Sequence, residues 1–276
     1  MKLQQLLSYV RKAVEDYDMI QSGDRIAIGI SGGKDSLTLL HALSELQRFF
    51  PQEYSLHAIS VDLGFKPSAT TESLSKDYDN NNDDDANPFG TESGNWEQIE
   101  ALCRELDVPY EIIMTDIADV VFTKRQETNP CSLCAKMRKG ALNEAAKKLG
   151  INKIAYGHHQ NDAVETMLLS LLYEGRIHTF APVTYLDRMD VTVIRPLIYL
   201  EEANVIGFVR KHALPVMKSP CPVDGHTKRE YVKELIHDLA GEHPGIYKKM
   251  FTAIKHSQIE GWSPARETGN DTEVNP

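Results

Sequence analysis

Arg25-Ile26-Ala27-Ile28-Gly29-Ile30-Ser31-Gly32-Gly33-Lys34-Asp35-Ser36 is a short apolar run that opens into two glycines, a lysine and an acid flanked by serines. Residues 25–30 suit a buried strand. Residues 37–49 then repeat apolar side chains at helical spacing and stop near Pro51. A strand, a glycine turn and a helix begin an α/β unit. The glycines permit a tight turn and bring backbone N–H groups close to a ligand. The hydroxyls of Ser31 and Ser36 can donate to phosphate oxygens, Lys34 adds a charge, and the helix start adds its partial one. Asp35 repels a bare phosphate, so its work is indirect: orienting neighbours or a magnesium ion. A plain turn with a serine cap accounts for a lone Gly-Gly, but not for the whole hexapeptide after an apolar strand. The spacing is not that of the Walker A loop.

Working outward, residues 2–20 read as an amphipathic helix without the apolar segment and cleavage site of a signal peptide. Downstream, strands are expected at 55–61 (ending on Asp62), 110–114, 153–156 and 191–194. Helices are expected at 96–106, 136–149, 162–173, 201–212 and 229–239, with helical pattern on to Ile259. Alternating strands and helices predict an α/β fold, a doubly wound, mostly parallel sheet with N- and C-terminal helices. The expected division is a helix at 1–22, an α/β domain at 23–200, a helical region at 201–262 and a disordered tail at 263–276. Residues 66–94 are polar and read as a flexible acidic insertion. Ligands of such sheets bind beyond the carboxyl ends of strands. That rule selects the loop after the first strand, Asp62, and Gly157-His158-His159. Asp62 is a candidate adenosine contact or a turn former. Asp162, at a helix start, is a cap or a magnesium or acid/base group.

The 276 residues are 41% hydrophobic and 25% charged, ordinary for a soluble globular chain. No apolar run reaches the ~18 residues that span a bilayer, and a cytoplasmic protein is expected. The net charge of -10 argues against a polyanionic partner. Its distribution weakens that objection, because residues 68–94 hold seven carboxylates against one lysine. Basic residues gather elsewhere, from Lys124 to Lys153 and around Cys221.

Of four cysteines, Cys103 lies in a helical pattern and reads as a small buried hydrophobe. Cys131-Ser132-Leu133-Cys134 can hold one metal or act as a redox dithiol. Cys221 stands between Pro220 and Pro222, which stiffen the chain around it. Structural zinc takes four ligands, and His226 is a candidate fourth. Iron–sulfur clusters also take four cysteines; three would leave one iron open. Arg138, four residues after Cys134 on the following helix, should face the same side.

SGGKDS, CSLC and the later SPCP together resemble the tRNA 2-thiocytidine biosynthesis family (tRNA-cytidine 2-sulfurtransferase) of the PP-loop ATP pyrophosphatases. The resemblance covers most of the chain, including NPCSLCAKMRKGAL, KIAYGHHQNDAVETMLLSLLYEG and VIRPLIYLEE. It implies an adenine nucleotide α-hydrolase-like fold that cleaves ATP between the α and β phosphates and adenylates a base oxygen. It implies ATP and Mg2+ at Ser31, Gly32, Gly33, Lys34, Asp35 and Ser36, with Asp62, Gly157 and His158 as nucleotide contacts. It implies Cys131, Cys134 and Cys221 as ligands of a [4Fe-4S] cluster and a catalytic role for Asp162; Arg138, read from its position, is a catalytic candidate that stabilises phosphate or the activated base, or else a solvated surface arginine. The implied partners are tRNA, modified at a cytidine of the anticodon loop, and a sulfur donor, either a cysteine desulfurase or a persulfide carrier. A homodimer through the first helix is a further expectation. The insertion at 66–94 departs from the family pattern. The chain lacks the extra zinc-binding cysteine pairs of the thiouridine-forming relatives, which favours the thiocytidine branch. An amide-forming ligase, a lysidine synthase, sulfur transfer to a small molecule, and a non-catalytic nucleotide- or zinc-binding module are the rival readings.

Overall fold

The computed structural model describes residues 1–65, 96–125, 130–217, 221 and 228–264. The expected insertion, His226 and all but two residues of the expected tail lie outside the described residues.

The chain runs α1 (Leu3–Asp16), β1 (Asp24–Ile30), α2 (Lys34–Gln47), β2 (Tyr54–Asp62), α3 (Trp96–Glu105), β3 (Tyr110–Met114), a short π-helical turn (Asp119–Lys124), α4 (Pro130–Lys148) and β4 (Lys153–Ala155). It continues through α5 (Gln160–Glu174), β5 (Val183–Leu186), β6 (Val191–Ile194), α6 (Glu202–His212), α7 (Lys228–Glu242) and α8 (Ile246–Lys255). Six strands form one sheet in the order β3-β2-β1-β4-β6-β5. All neighbours are parallel except β5 and β6, which form an antiparallel hairpin at one edge.

β1 sits in the middle because both its faces are apolar, as a parallel strand covered on both sides requires. Ile26, Ile28 and Ile30 face one core, shared with α1, α2, α5 and α6. Ala27 faces the other, beneath α4 and the π-helical turn, with Ile59, Val61 and Ile154. Gly29 keeps that second face low: a Cβ there would meet Leu142 of α4 at 3.2 Å and Tyr156 at 3.3 Å. The C-terminal helices have no core of their own. Phe208, Val232, Ile236, Phe251 and Trp262 join the cluster that holds α1 and α2. α1 buries Leu6, Leu7, Val10, Ala13 and Val14 inside the chain, so a homodimer built on that helix has only its polar face to offer.

From β1 the chain winds one way to β2 and β3, then returns to place β4 on the other side of β1. The gap between the carboxyl ends of β1 and β4 is therefore the topological switch point, where open α/β sheets bind ligands. Several expected boundaries shift. α2 begins at Lys34, inside the glycine turn, three residues before its apolar pattern starts. α4 begins at Pro130 instead of 136, so Cys131 and Cys134 lie in the first turns of the helix that carries Arg138. The π-helical turn and β5 have no counterpart in the expected elements. Among the described residues, no helix is long and apolar enough to cross a membrane.

Candidate functional site

At the end of β1 the chain turns through Gly32, whose φ of 80° lies in the left-handed region. Gly33 returns to extended backbone and caps α2. The serines brace this loop: the Ser36 hydroxyl donates to the Gly33 carbonyl at 2.9 Å. It also accepts from the Ser31 N–H at 3.2 Å and lies 3.2 Å from the Ser31 hydroxyl. The result is a glycine cradle at a helix N-terminus, which suits an anion.

Three segments close on this loop. Gly157, after β4, comes so near that a Cβ would stand 2.8 Å from both the carbonyl carbon and oxygen of Asp35. Its smallness thus serves a contact with the protein's own backbone. From the C-terminal half, the Met217 N–H donates to the Gly32 carbonyl at 2.9 Å, and a Cβ on Gly32 would meet the Met217 side chain at 3.0 Å. α6 supplies Glu202, which pairs with Lys34 at 3.1 Å. Lys34 also pairs with Asp35 at 3.1 Å. Burial works against its charge, but the two carboxylates prevail and raise its pKa.

His159 stands between two carboxylates, with Nε2 at 3.6 Å from Asp35 and Nδ1 at 3.3 Å from Asp162. Asp162 also accepts the His159 N–H at 2.9 Å and so caps α5. Burial, and then Asp162, raise the pKa of Asp35, whose buried Oδ1 has no hydrogen-bond partner among the described residues. Asp35 and Asp162, bridged by His159, thus stand beside the phosphate cradle, and Asp35 Oδ1 lacks, among the described residues, the partner that a hard cation would supply. α7 ties down the outer rim: Arg229 lies 3.2 Å from Glu165 and 3.7 Å from Asp162, and Lys233 lies 3.2 Å from Glu202.

The cysteines fall on the same side. Met217, bound to Gly32, is four residues from Cys221, and four residues span at most about 14 Å. Cys134 is half-buried. Burial raises its thiol pKa, Arg138 lowers it, and Cys221 and Cys131 both raise it as like charges. Cys131, Cys221 and Arg138 thus each stand near enough to Cys134 to act on it. Cys103 is buried in the core, and burial pushes its thiol up to about 12. Among the described residues no three His, Cys, Asp or Glu side chains converge on one point as ligands of a single ion would. A four-iron cluster has no such requirement, because each thiolate takes a different iron.

Two expected nucleotide contacts have partners of their own within the protein. Asp62 accepts from the Gly64 N–H at 2.7 Å and from Trp96 Nε1 at 3.1 Å, so its carboxylate is occupied in fixing the turn after β2. The His158 ring lies 4.9 Å from that of Phe180 and 5.8 Å from that of Tyr156. Burial first, then Arg195, Arg229 and Lys139, lower its pKa to about 4 against the pull of Asp162, which leaves it neutral at pH 7. Sequence reasoning selected His159 only as part of the Gly157-His158-His159 turn and did not single out Glu165, Glu202 or Arg195. Arg195 follows the carboxyl end of β6, so the strand-end rule could have found it.

A family model described as the PP-loop domain matches residues 3–76 and 90–239. The tRNA-cytidine(32) 2-sulfurtransferase of Geobacter sulfurreducens is 36% identical over 252 residues, covering 90% of this chain and 88% of that protein. This chain belongs to the PP-loop family, among the tRNA-cytidine 2-sulfurtransferases. The protein of the same name from Pelobacter propionicus is 36% identical over 250 residues, covering 90% of this chain and 83% of that one. In fold, the chain is similar to the U34-tRNA thiolase NcsA from Methanococcus maripaludis, solved with its [4Fe-4S] cluster. The TM-score is 0.67 at 23% identity, over 92% of this chain and 79% of that one.

Proposed function

We propose that this protein is an ATP-dependent tRNA sulfurtransferase of the cytoplasm that adenylates the C2 oxygen of an anticodon-loop cytidine and replaces it with sulfur. The observation that carries the reading is the hydrogen bond from Met217 to Gly32. It draws the segment bearing Cys221 onto the phosphate loop, while Cys221 and Cys131 act on Cys134.

The loop N–H groups and the hydroxyls of Ser31 and Ser36 hold the ATP phosphates, and Lys34 transfers from Glu202 to a phosphate oxygen. Asp35 and Asp162 would hold Mg2+, which when bound would neutralise phosphate charge beside them. The base oxygen attacks the α phosphorus and pyrophosphate leaves. These residues act chiefly by positioning the reactants and by stabilising charge as it develops. Cys131, Cys134 and Cys221 would hold a [4Fe-4S] cluster, which when bound supplies an open iron that can carry the incoming sulfur. Arg138 stabilises the departing AMP as sulfur takes the place of oxygen. The sulfur comes from a cysteine desulfurase or a persulfide carrier. Mass analysis of tRNA nucleosides from cells with and without this gene tests the assignment. Loss of 2-thiocytidine is expected, and unchanged thiocytidine and thiouridine would remove tRNA as the substrate.

A further inference from the structure

Beyond the phosphate loop, the sheet crest carries a second cationic pocket. Arg195 follows β6 and is only 9% exposed. Its Nη1 donates to the Ala181 carbonyl at 2.5 Å and to Thr184 Oγ1 at 3.1 Å. The guanidinium lies 4.8 Å from the centre of the Phe180 ring. Its buried Nε has no hydrogen-bond partner among the described residues. The described ion pairs give no carboxylate to Arg195, Arg138 or Lys139. Lys139 is exposed and stands one helical turn before Leu142, which packs with Tyr156 over Gly29; burial first, then Arg195 and Arg138, lower its pKa. A carbonyl and a hydroxyl acceptor would fix the β5–β6 edge equally well with a neutral donor. A buried guanidinium facing other cations is costly until an anion completes it.

We infer that Arg195 and Lys139, bordered by Arg138, form a second phosphate site, which takes a backbone phosphodiester of the RNA strand carrying the target base. The inference rests on the tRNA reading above. Position selects the RNA over the nucleotide. β1, β4 and β6 are successive neighbours, so Arg195 lies roughly 10 Å across the sheet from the phosphate loop by strand spacing. The loop after β4 stands between the two. Arg138 meanwhile stands one helical turn after Cys134 on α4, so the cationic cluster borders the thiols where sulfur must meet the base. A nucleotide whose base reaches those thiols carries its own phosphodiester nearby, and phosphate contacts of this kind fix register without reading sequence.

The test is salt-dependent binding of unmodified tRNA by the full chain, with ATP binding measured in parallel. For Lys139→Ala we expect roughly fivefold weaker tRNA binding and a salt slope shallower by about 0.7, one contact's share for a single strand. Arg195→Lys, which keeps the charge but loses the planar fork, should weaken tRNA binding with the slope preserved. ATP affinity should hold in both. Unchanged tRNA affinity and slope in both folded variants overturn the inference. So does a loss confined to ATP, which would make the nucleotide the source of the phosphate. A wild-type chain that binds no tRNA overturns the inference and the tRNA reading together, whereas variants indistinguishable from a binding wild type overturn the inference alone.

Discussion

Gly157 shows what a single missing methyl does for this site. An added Cβ would press on the carbonyl of Asp35 at 2.8 Å, and backbone cannot swing aside as a side chain can. Gly157→Ala is expected to destabilise the protein by about 1–3 kcal/mol, as overpacking does. By displacing the loop that cradles phosphate, it should also weaken ATP binding by roughly tenfold. Thermal denaturation and titration calorimetry check both, and wild-type ATP affinity would contradict the account. At this scale the sequence was informative where chemistry is local. The hexapeptide 31–36 announces a phosphate loop because its glycines, hydroxyls and lysine are consecutive. Asp62 could not be read so well, because the Trp96 indole that occupies it lies 34 residues away. Arg195 was hidden for a related reason: β6 was legible, but the burial of Arg195 depends on β5, which was not, and on Phe180.

Among elements, the packing of α7 on α5 holds the rim of the site, and Glu165 is its sensitive point. Burial, then Asp162, raise the Glu165 pKa to about 7, with Arg229 opposing. A carboxyl raised above its ordinary 4.5 is protonated in the folded state while the unfolded state is ionised. Its contribution to stability is therefore full below 4.5 and falls as pH rises toward 7. His158 acts in the opposite sense. Its pKa of about 4 lies below the ordinary 6.5, so stability is lost as pH falls through that interval. The two partly cancel in the wild type. In Glu165→Gln the His158 contribution is left uncovered, so stability should climb from pH 4 to 6.5 more steeply than in wild type. The gap between the two curves should be on the order of 2 kcal/mol. Parallel curves in chemical denaturation would contradict this. The start of α4 was missed because Pro130 and the cysteines look like a loop. Proline is nonetheless well tolerated in the first helical turn, and the helix places both thiols of the pair on one rigid support.

For the molecule as a whole, the decisive fact is how far apart in sequence the parts of one site lie. The phosphate loop belongs to the first 36 residues, the paired thiols to the start of α4, and Cys221 to the segment between α6 and α7. The alternation of strands and helices made the doubly wound sheet legible, and with it the crest at the switch point. Nothing in the alternation itself requires the C-terminal segment to fold back over that crest. Met217 on Gly32, Glu202 on Lys34 and Trp262 in the main core do so. The account's central claim is that Cys131, Cys134 and Cys221 act as one ligand set beside the phosphate loop. The most direct measurement is metal content and visible absorption of the protein prepared without oxygen, with each cysteine replaced in turn by alanine. A brown wild type with about four irons per chain, a loss of iron in Cys131→Ala, Cys134→Ala and Cys221→Ala, and full retention in Cys103→Ala are expected. A colourless protein that holds zinc, or a Cys221→Ala variant with its iron intact, would contradict it.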